Sequence, residues 1–98
     1  MQGIPYRFTA SVWKYTGESA WHFVSLPASL ANEIRNLYKS EEAAWGRLKV
    51  TAKIGQNKWK TAIWYDSQKE TYLLPLKAEI RKREKIINGQ SLYINIWV

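Results

Sequence analysis

Cysteine is absent from the 98-residue chain, which excludes disulfide staples, thiolate nucleophiles and sulfur-bound zinc. Histidine occurs once, as His22, and aspartate once, as Asp66. Acidic residues are scarce, eight against fifteen Lys and Arg, for a net charge of +7. Long apolar runs are missing too: none approaches the roughly 20 residues a membrane-spanning helix needs. The opening Met1-Gln2-Gly3-Ile4-Pro5-Tyr6 lacks a basic stretch followed by an apolar one, so no signal peptide is expected. A chain of this kind suits a reducing cytoplasm, which is the location expected of it.

These shortages weigh against catalysis. His22 sits inside an apolar segment with no paired acid in the sequence, Asp66 falls in a turn, and Glu41 and Glu42 are adjacent and so point apart. No His/Cys cluster offers metal-ligand spacing. No glycine-rich loop suits a phosphate, and no Gly-x-Ser-x-Gly suits a nucleophile. A nucleophile, a base and an orienting group cannot be assembled from this inventory. The expectation is a non-enzymatic protein without metal or cofactor.

What is present is a duplication. Leu26-Pro27 leads to Glu33-Ile34-Arg35, then to Gly46 and the alternating Leu48, Val50, Ala52, Ile54. Leu74-Pro75 leads in turn to Glu79-Ile80-Arg81, then to Gly89 and the alternating Leu92, Ile94, Ile96, Val98. A repeat on this scale speaks of architecture. Alternation from Tyr6 to Tyr15 predicts a half-buried strand with Phe8, Ala10 and Val12 on one face. Thr16-Gly17-Glu18-Ser19 reads as a turn, and Trp21–Leu26 as a second strand stopped by Pro27. Ser29 suits a helix cap, and Leu30, Ile34, Leu37 and Tyr38 form one apolar stripe. A polar connection over Lys39–Ala44 leads to a third strand, Arg47–Ile54, with Arg47, Lys49, Thr51 and Lys53 outward.

The second copy runs the same way. Gly55 to Lys58 predicts a hairpin turn. Trp59–Tyr65 returns, Asp66–Glu70 turns, and Thr71–Leu74 is a short strand ended by Pro75. A helix over about 76–86, with Leu76, Ile80 and Ile87 inward, ends at Asn88-Gly89. Ser91–Val98 is the last strand. The order is β-β-α-β, twice. Six short strands in one domain, residues 1–98, favour a closed barrel with its ends capped by the two helices. One chain carrying both halves points to a monomer.

The residues that carry the pattern resemble a known family. They are Phe8-x-Ala10, Trp21-x-Phe23-Val24-x-Leu26-Pro27, Glu33-Ile34-Arg35, Val50-x-Ala52-x-Ile54-Gly55 and Trp59-x-Thr61. They continue in Tyr72-x-Leu74-Pro75-x-Lys77-Ala78, Ile80-Arg81-Lys82 and Gly89. Together they look like the bacterial family known as domain of unknown function nineteen-oh-five. The resemblance implies a double-split β-barrel, related in fold to the dimeric barrels of AbrB-type regulators and MazE-type antitoxins. It implies no activity and brings no catalytic residues.

Three sets of residues could bind a partner. The first is the basic hairpin, Arg47, Lys49, Lys53, Lys58 and Lys60. Like charges facing each other across a ladder repel, and a phosphate backbone is one reason to stack them. Lysines on strand faces also deter aggregation. The second is Lys77, Arg81 and Lys85, spaced i, i+4 and i+8 on the second helix beside Lys82. The alternative there is a solvated face partly neutralised by Glu79 and Glu84. For Arg81 and its counterpart Arg35, a repeated structural ion pair or cap is the competing explanation. The third is the aromatic set Trp13, Tyr93 and Trp97, which would either stack bases or pack beneath the helices. The charge is uneven as well: +2 over residues 1–49 and +5 over 50–98.

The expectation is weak, largely electrostatic binding of nucleic acid through Arg47, Lys49, Lys53, Lys58, Lys60, Lys77 and Arg81. The alternative is a protein-interaction or small-ligand barrel with an aromatic-lined pocket. Nothing in the sequence calls for a membrane.

Overall fold

The computed structural model describes residues 3–17, 21–43 and 46–98. The first two residues of the chain, Glu18 and Ser19 of the first expected turn, and Ala44 of the polar connection lie outside the described residues. Strands β1 (Pro5–Lys14) and β2 (His22–Ser25), helix α1 (Ala28–Tyr38) and strand β3 (Arg47–Ile54) form the first copy. Strands β4 (Asn57–Asp66) and β5 (Thr71–Pro75), helix α2 (Ala78–Arg83) and strand β6 (Ser91–Trp97) form the second. The strands close into an antiparallel barrel in the order β1-β2-β5-β4-β3-β6. Among the described residues no helix is long and apolar enough to cross a membrane.

The closure follows from the duplication. Exchanging the copies (β1 with β4, β2 with β5, β3 with β6) leaves the pairing order unchanged. At one seam Ser25 pairs with Leu73, each the residue before its copy's Leu-Pro. At the other seam Ala52 pairs with Ile96, each the third inward residue of its alternating run. Both pairs join equivalent positions, so an approximate two-fold axis runs through the two seams. Closure gives every strand a neighbour on each side, though β1 over residues 5–11 and β4 over residues 57–63 are each paired on one side only.

Alternation sorts the side chains as expected. Phe8, Val12, Val24, Ile63, Tyr72, Leu74, Ile94 and Ile96 are buried in one core, and Leu48, Val50, Ala52 and Ile54 join them from β3. The interior is filled by these side chains. Between β3 and β4 the chain turns on two residues, Gly55 and Gln56. Gly55 has φ +57° while Gln56 is not left-handed, the type II′ arrangement whose twist matches the strands.

The helices depart from the sequence reading. Pro27 stands before α1, and no side chain caps the helix, so Ser29 is not a cap. Ala31 and Ile34 are its buried residues, while Leu37, on the flank of the stripe, is exposed. α2 is six residues long rather than eleven. Lys85 adopts φ +53° and reverses the chain just after the helix. That reversal turns Ile86 into the core and leaves Ile87 exposed, the opposite of what helical spacing gives. It also breaks the expected Lys77–Arg81–Lys85 ridge, since only Arg81 lies within the helix. Gly89, with φ +88°, serves the turn into β6 and not the helix end; its N–H donates to the Val12 carbonyl at 2.7 Å.

Candidate polyanion-binding groove

The outward residues of β3 and β4 are brought together by register. Arg47 faces Trp64, Lys49 faces Ala62, Thr51 faces Lys60 and Lys53 faces Lys58. On the other side of β3, Thr51 faces Trp97 and Lys53 faces Asn95 of β6. The result is an open groove of about 1230 Å³ with Arg47, Lys49, Lys58 and Lys60 at its margins. Trp64 and Trp97 are its aromatic walls, and Ala62 and Thr51 lie between them. Lys53 extends the cationic row beside Lys58.

Among the described residues the ion pairs are Arg35–Glu42 and Arg83–Glu79, and neither involves a groove residue. Asp66, at the far end of β4, is occupied with the next turn, accepting from the N–H groups of Gln68 and Lys69. Two of the cations rest on aromatic faces. The Arg47 guanidinium lies 5.8 Å from the Trp64 ring centre and the Lys58 ammonium 4.7 Å from that of Trp97. Such contacts hold a cation in place while leaving its charge available. At the tip of the hairpin, Asn57 donates from Nδ2 to Glu84 just after α2, which ties the groove's end to the second helix.

Five of the seven residues expected to bind nucleic acid therefore belong to one surface. Lys77 and Arg81 do not join it. Lys77 is the residue preceding α2, and Arg81 donates from Nε to the Leu76 carbonyl at 3.1 Å, a structural bond. Of the aromatic set, Trp97 lines the groove. Trp13 lies on another face, donating to Ser25 Oγ at 3.0 Å and packing on Phe23 at 5.1 Å. Tyr93 is exposed and faces Thr9 of β1. Sequence reasoning missed Trp64. The signal was there, since Lys58, Lys60, Ala62 and Trp64 share the outward phase of β4, but aromatic residues occupy both phases of that strand.

A second cluster lies at the base of α1. Glu42 meets Arg35 at 3.6 Å and accepts from the Tyr72 hydroxyl, while the Arg35 guanidinium sits 3.5 Å from the Tyr65 ring centre. Burial, and then the bond to Glu42, push the Tyr72 hydroxyl well above the usual phenol range. The Glu42 side chain is only 7% exposed. A charge in that position is tolerable because it is paired and hydrogen-bonded. The cluster locks α1 to β4 and β5. Among the described residues no group of His, Cys, Asp and Glu is arranged to hold a metal ion.

Comparison with known proteins fits this architecture. The family model described as "Domain of unknown function (DUF1905)" matches residues 8–96, so the chain belongs to that family. Among curated proteins none shows a significant match.

Proposed function

We propose that this DUF1905 domain is a binding module whose β3–β4 face takes nucleic acid with weak, largely electrostatic affinity. The observation that carries the reading is a difference between the two copies. The approximate two-fold axis superposes β3–β4 on β6–β1. On β3–β4 the outward residues include Arg47, Lys49, Lys53, Lys58 and Lys60. On β6–β1 the equivalents of those five are Ser91, Tyr93, Trp97, Pro5 and Arg7, one cation against five. The fold thus accepts uncharged side chains at four of these five positions. Solubility does not call for the cations of β3–β4, and their mutual repulsion is a cost the barrel does not need. A polyanion removes that cost by supplying the missing negative charge.

The shape supports a polymer over a small molecule. The groove is open, and its roughly 1230 Å³ exceeds the range of about 300–1,000 Å³ usual for small-ligand pockets. The barrel interior, where a ligand barrel would hold its cargo, is occupied by core side chains.

The test compares the two faces. Replacing Lys49, Lys53 and Lys60 together with Glu is expected to weaken binding of labelled DNA and RNA at least about tenfold in low salt. Arg7→Glu with Thr9→Glu, on the equivalent face with its single cation, is expected to leave affinity within about threefold. Equal losses from both faces, or no binding by the wild-type protein at about 50 mM salt, would overturn the reading.

A further inference from the structure

The groove holds two aromatic rings among its cations, and charge alone does not account for them. Trp64 is 38% exposed and Trp97 half-buried, and neither belongs to the core. Each carries on its ring a cation that is not ion-paired among the described residues: Arg47 on Trp64 and Lys58 on Trp97. They stand on strands either side of β3, at the levels of Arg47 and Thr51. Four residues along a strand and two strand spacings across place them roughly 16 Å apart on the sheet. Ala62, the small outward residue between Lys60 and Trp64, keeps the floor between them low.

We infer that the strand taken by this groove is an unpaired polynucleotide, with bases stacked on Trp64 and Trp97 and the phosphates held by Arg47, Lys49, Lys53, Lys58 and Lys60. The inference rests on the nucleic-acid reading of the groove. The ring contact of each is with a cation, and a phosphate is the group that draws such a cation away. Arg47 and Lys58 then move from ring to phosphodiester, and the freed ring accepts a base. A single strand presents both groups at once, because its bases are unstacked and its backbone bends. A duplex presents phosphates on its outside and keeps its bases in its own stack, so it would leave both rings idle. The pseudo-equivalent face has neither arrangement: Ser11 stands where Trp64 does, and Lys53 stands where Trp97 does.

The experiment measures affinity for oligo-dT, oligo-U and a duplex of the same length, about 12 nucleotides, a length within the usual span of one such site. Wild-type protein is compared with Trp64→Ala, Trp64→Phe and the double variant Trp64→Ala/Trp97→Ala, with circular dichroism confirming the fold. The expected result is single strands bound at least about tenfold more tightly than duplex. Trp64→Ala costs about fivefold or more on single strands and nothing on duplex. Trp64→Phe, which keeps a stacking face, recovers most of that loss. Duplex bound as tightly as single strands, or single-strand affinity unchanged in Trp64→Ala, would overturn the inference while leaving the polyanion groove standing. No binding to any of the three would overturn both.

Discussion

At the base of α1, Arg35 is held by a ring below it, a carboxylate beside it and a phenol beyond that carboxylate. Removing one member leaves the others short of partners, and a charge left short of partners in a protected place is expensive. Glu42→Ala is expected to lower unfolding free energy by about 2 kcal/mol, and Tyr72→Phe by about 1 kcal/mol, in urea titrations. A change below about 0.5 kcal/mol for Glu42→Ala would show the cluster to be incidental. The repeated Glu-Ile-Arg marks Arg35 in the sequence, and the expected ion pair is present. Its partner was not legible there. Glu42 lies in the segment after α1, and only the tertiary path of that segment brings it under the helix. Tyr6 makes a second prediction. Burial, with Tyr38 beside it, pushes its phenol up to about 12. Below pH 10 the folded and unfolded chains both keep the proton, and the contribution is constant. From pH 10 to about 12 the unfolded chain ionises and the folded one does not, so stability falls as pH rises. Urea midpoints measured across that window are expected to fall steeply, and less steeply in Tyr6→Phe.

At the scale of elements, strands were legible and helix ends were not. β3 runs over the same residues, Arg47–Ile54, that its alternation predicts. A period of two is fixed by the pleat, and one buried face pins its register. α2 was overestimated because Leu76, Ile80 and Ile87 mimic helical spacing, while the reversal at Lys85 is a backbone event that an ordinary lysine does not announce. The consequence is measurable. Ile86→Ala is expected to cost about 2–4 kcal/mol as a core truncation, and Ile87→Ala less than about 0.5 kcal/mol as a surface change. Equal costs would contradict the turn. The hairpin carries a prediction of its own. Lys53 and Lys58 are directly opposed, so Lys53→Thr is expected to raise stability by a few tenths of a kcal/mol while weakening polyanion binding. A residue that binds at the expense of the fold is the mark of a functional surface.

For the whole molecule, duplication is the fact from which most else follows. The two Leu-Pro and Glu-Ile-Arg runs foretold six strands in two equivalent sets, and closure of the barrel makes their equivalence exact enough that Ser25 meets Leu73 and Ala52 meets Ile96. The candidate site was half legible. Outward lysines on β3 follow from its phase, but the groove needs β4 and β6 on either side of β3, and strand order is not written in any local pattern. Trp64 and Trp97, far apart in sequence, became neighbours of one groove only through that order. The same symmetry supplies the comparison on which the functional account depends, one face with five cations against an equivalent face with one. The most direct test is therefore the salt dependence of oligonucleotide binding. If the five cations of β3 and β4 neutralise phosphates, log K is expected to fall with log salt at a slope of about −3.5 for single strands. In Lys49→Glu/Lys53→Glu/Lys60→Glu that slope should collapse toward zero, while Arg7→Glu leaves it nearly unchanged. A flat salt dependence in the wild-type protein, or the same slope after reversal of the three lysines, would contradict the account.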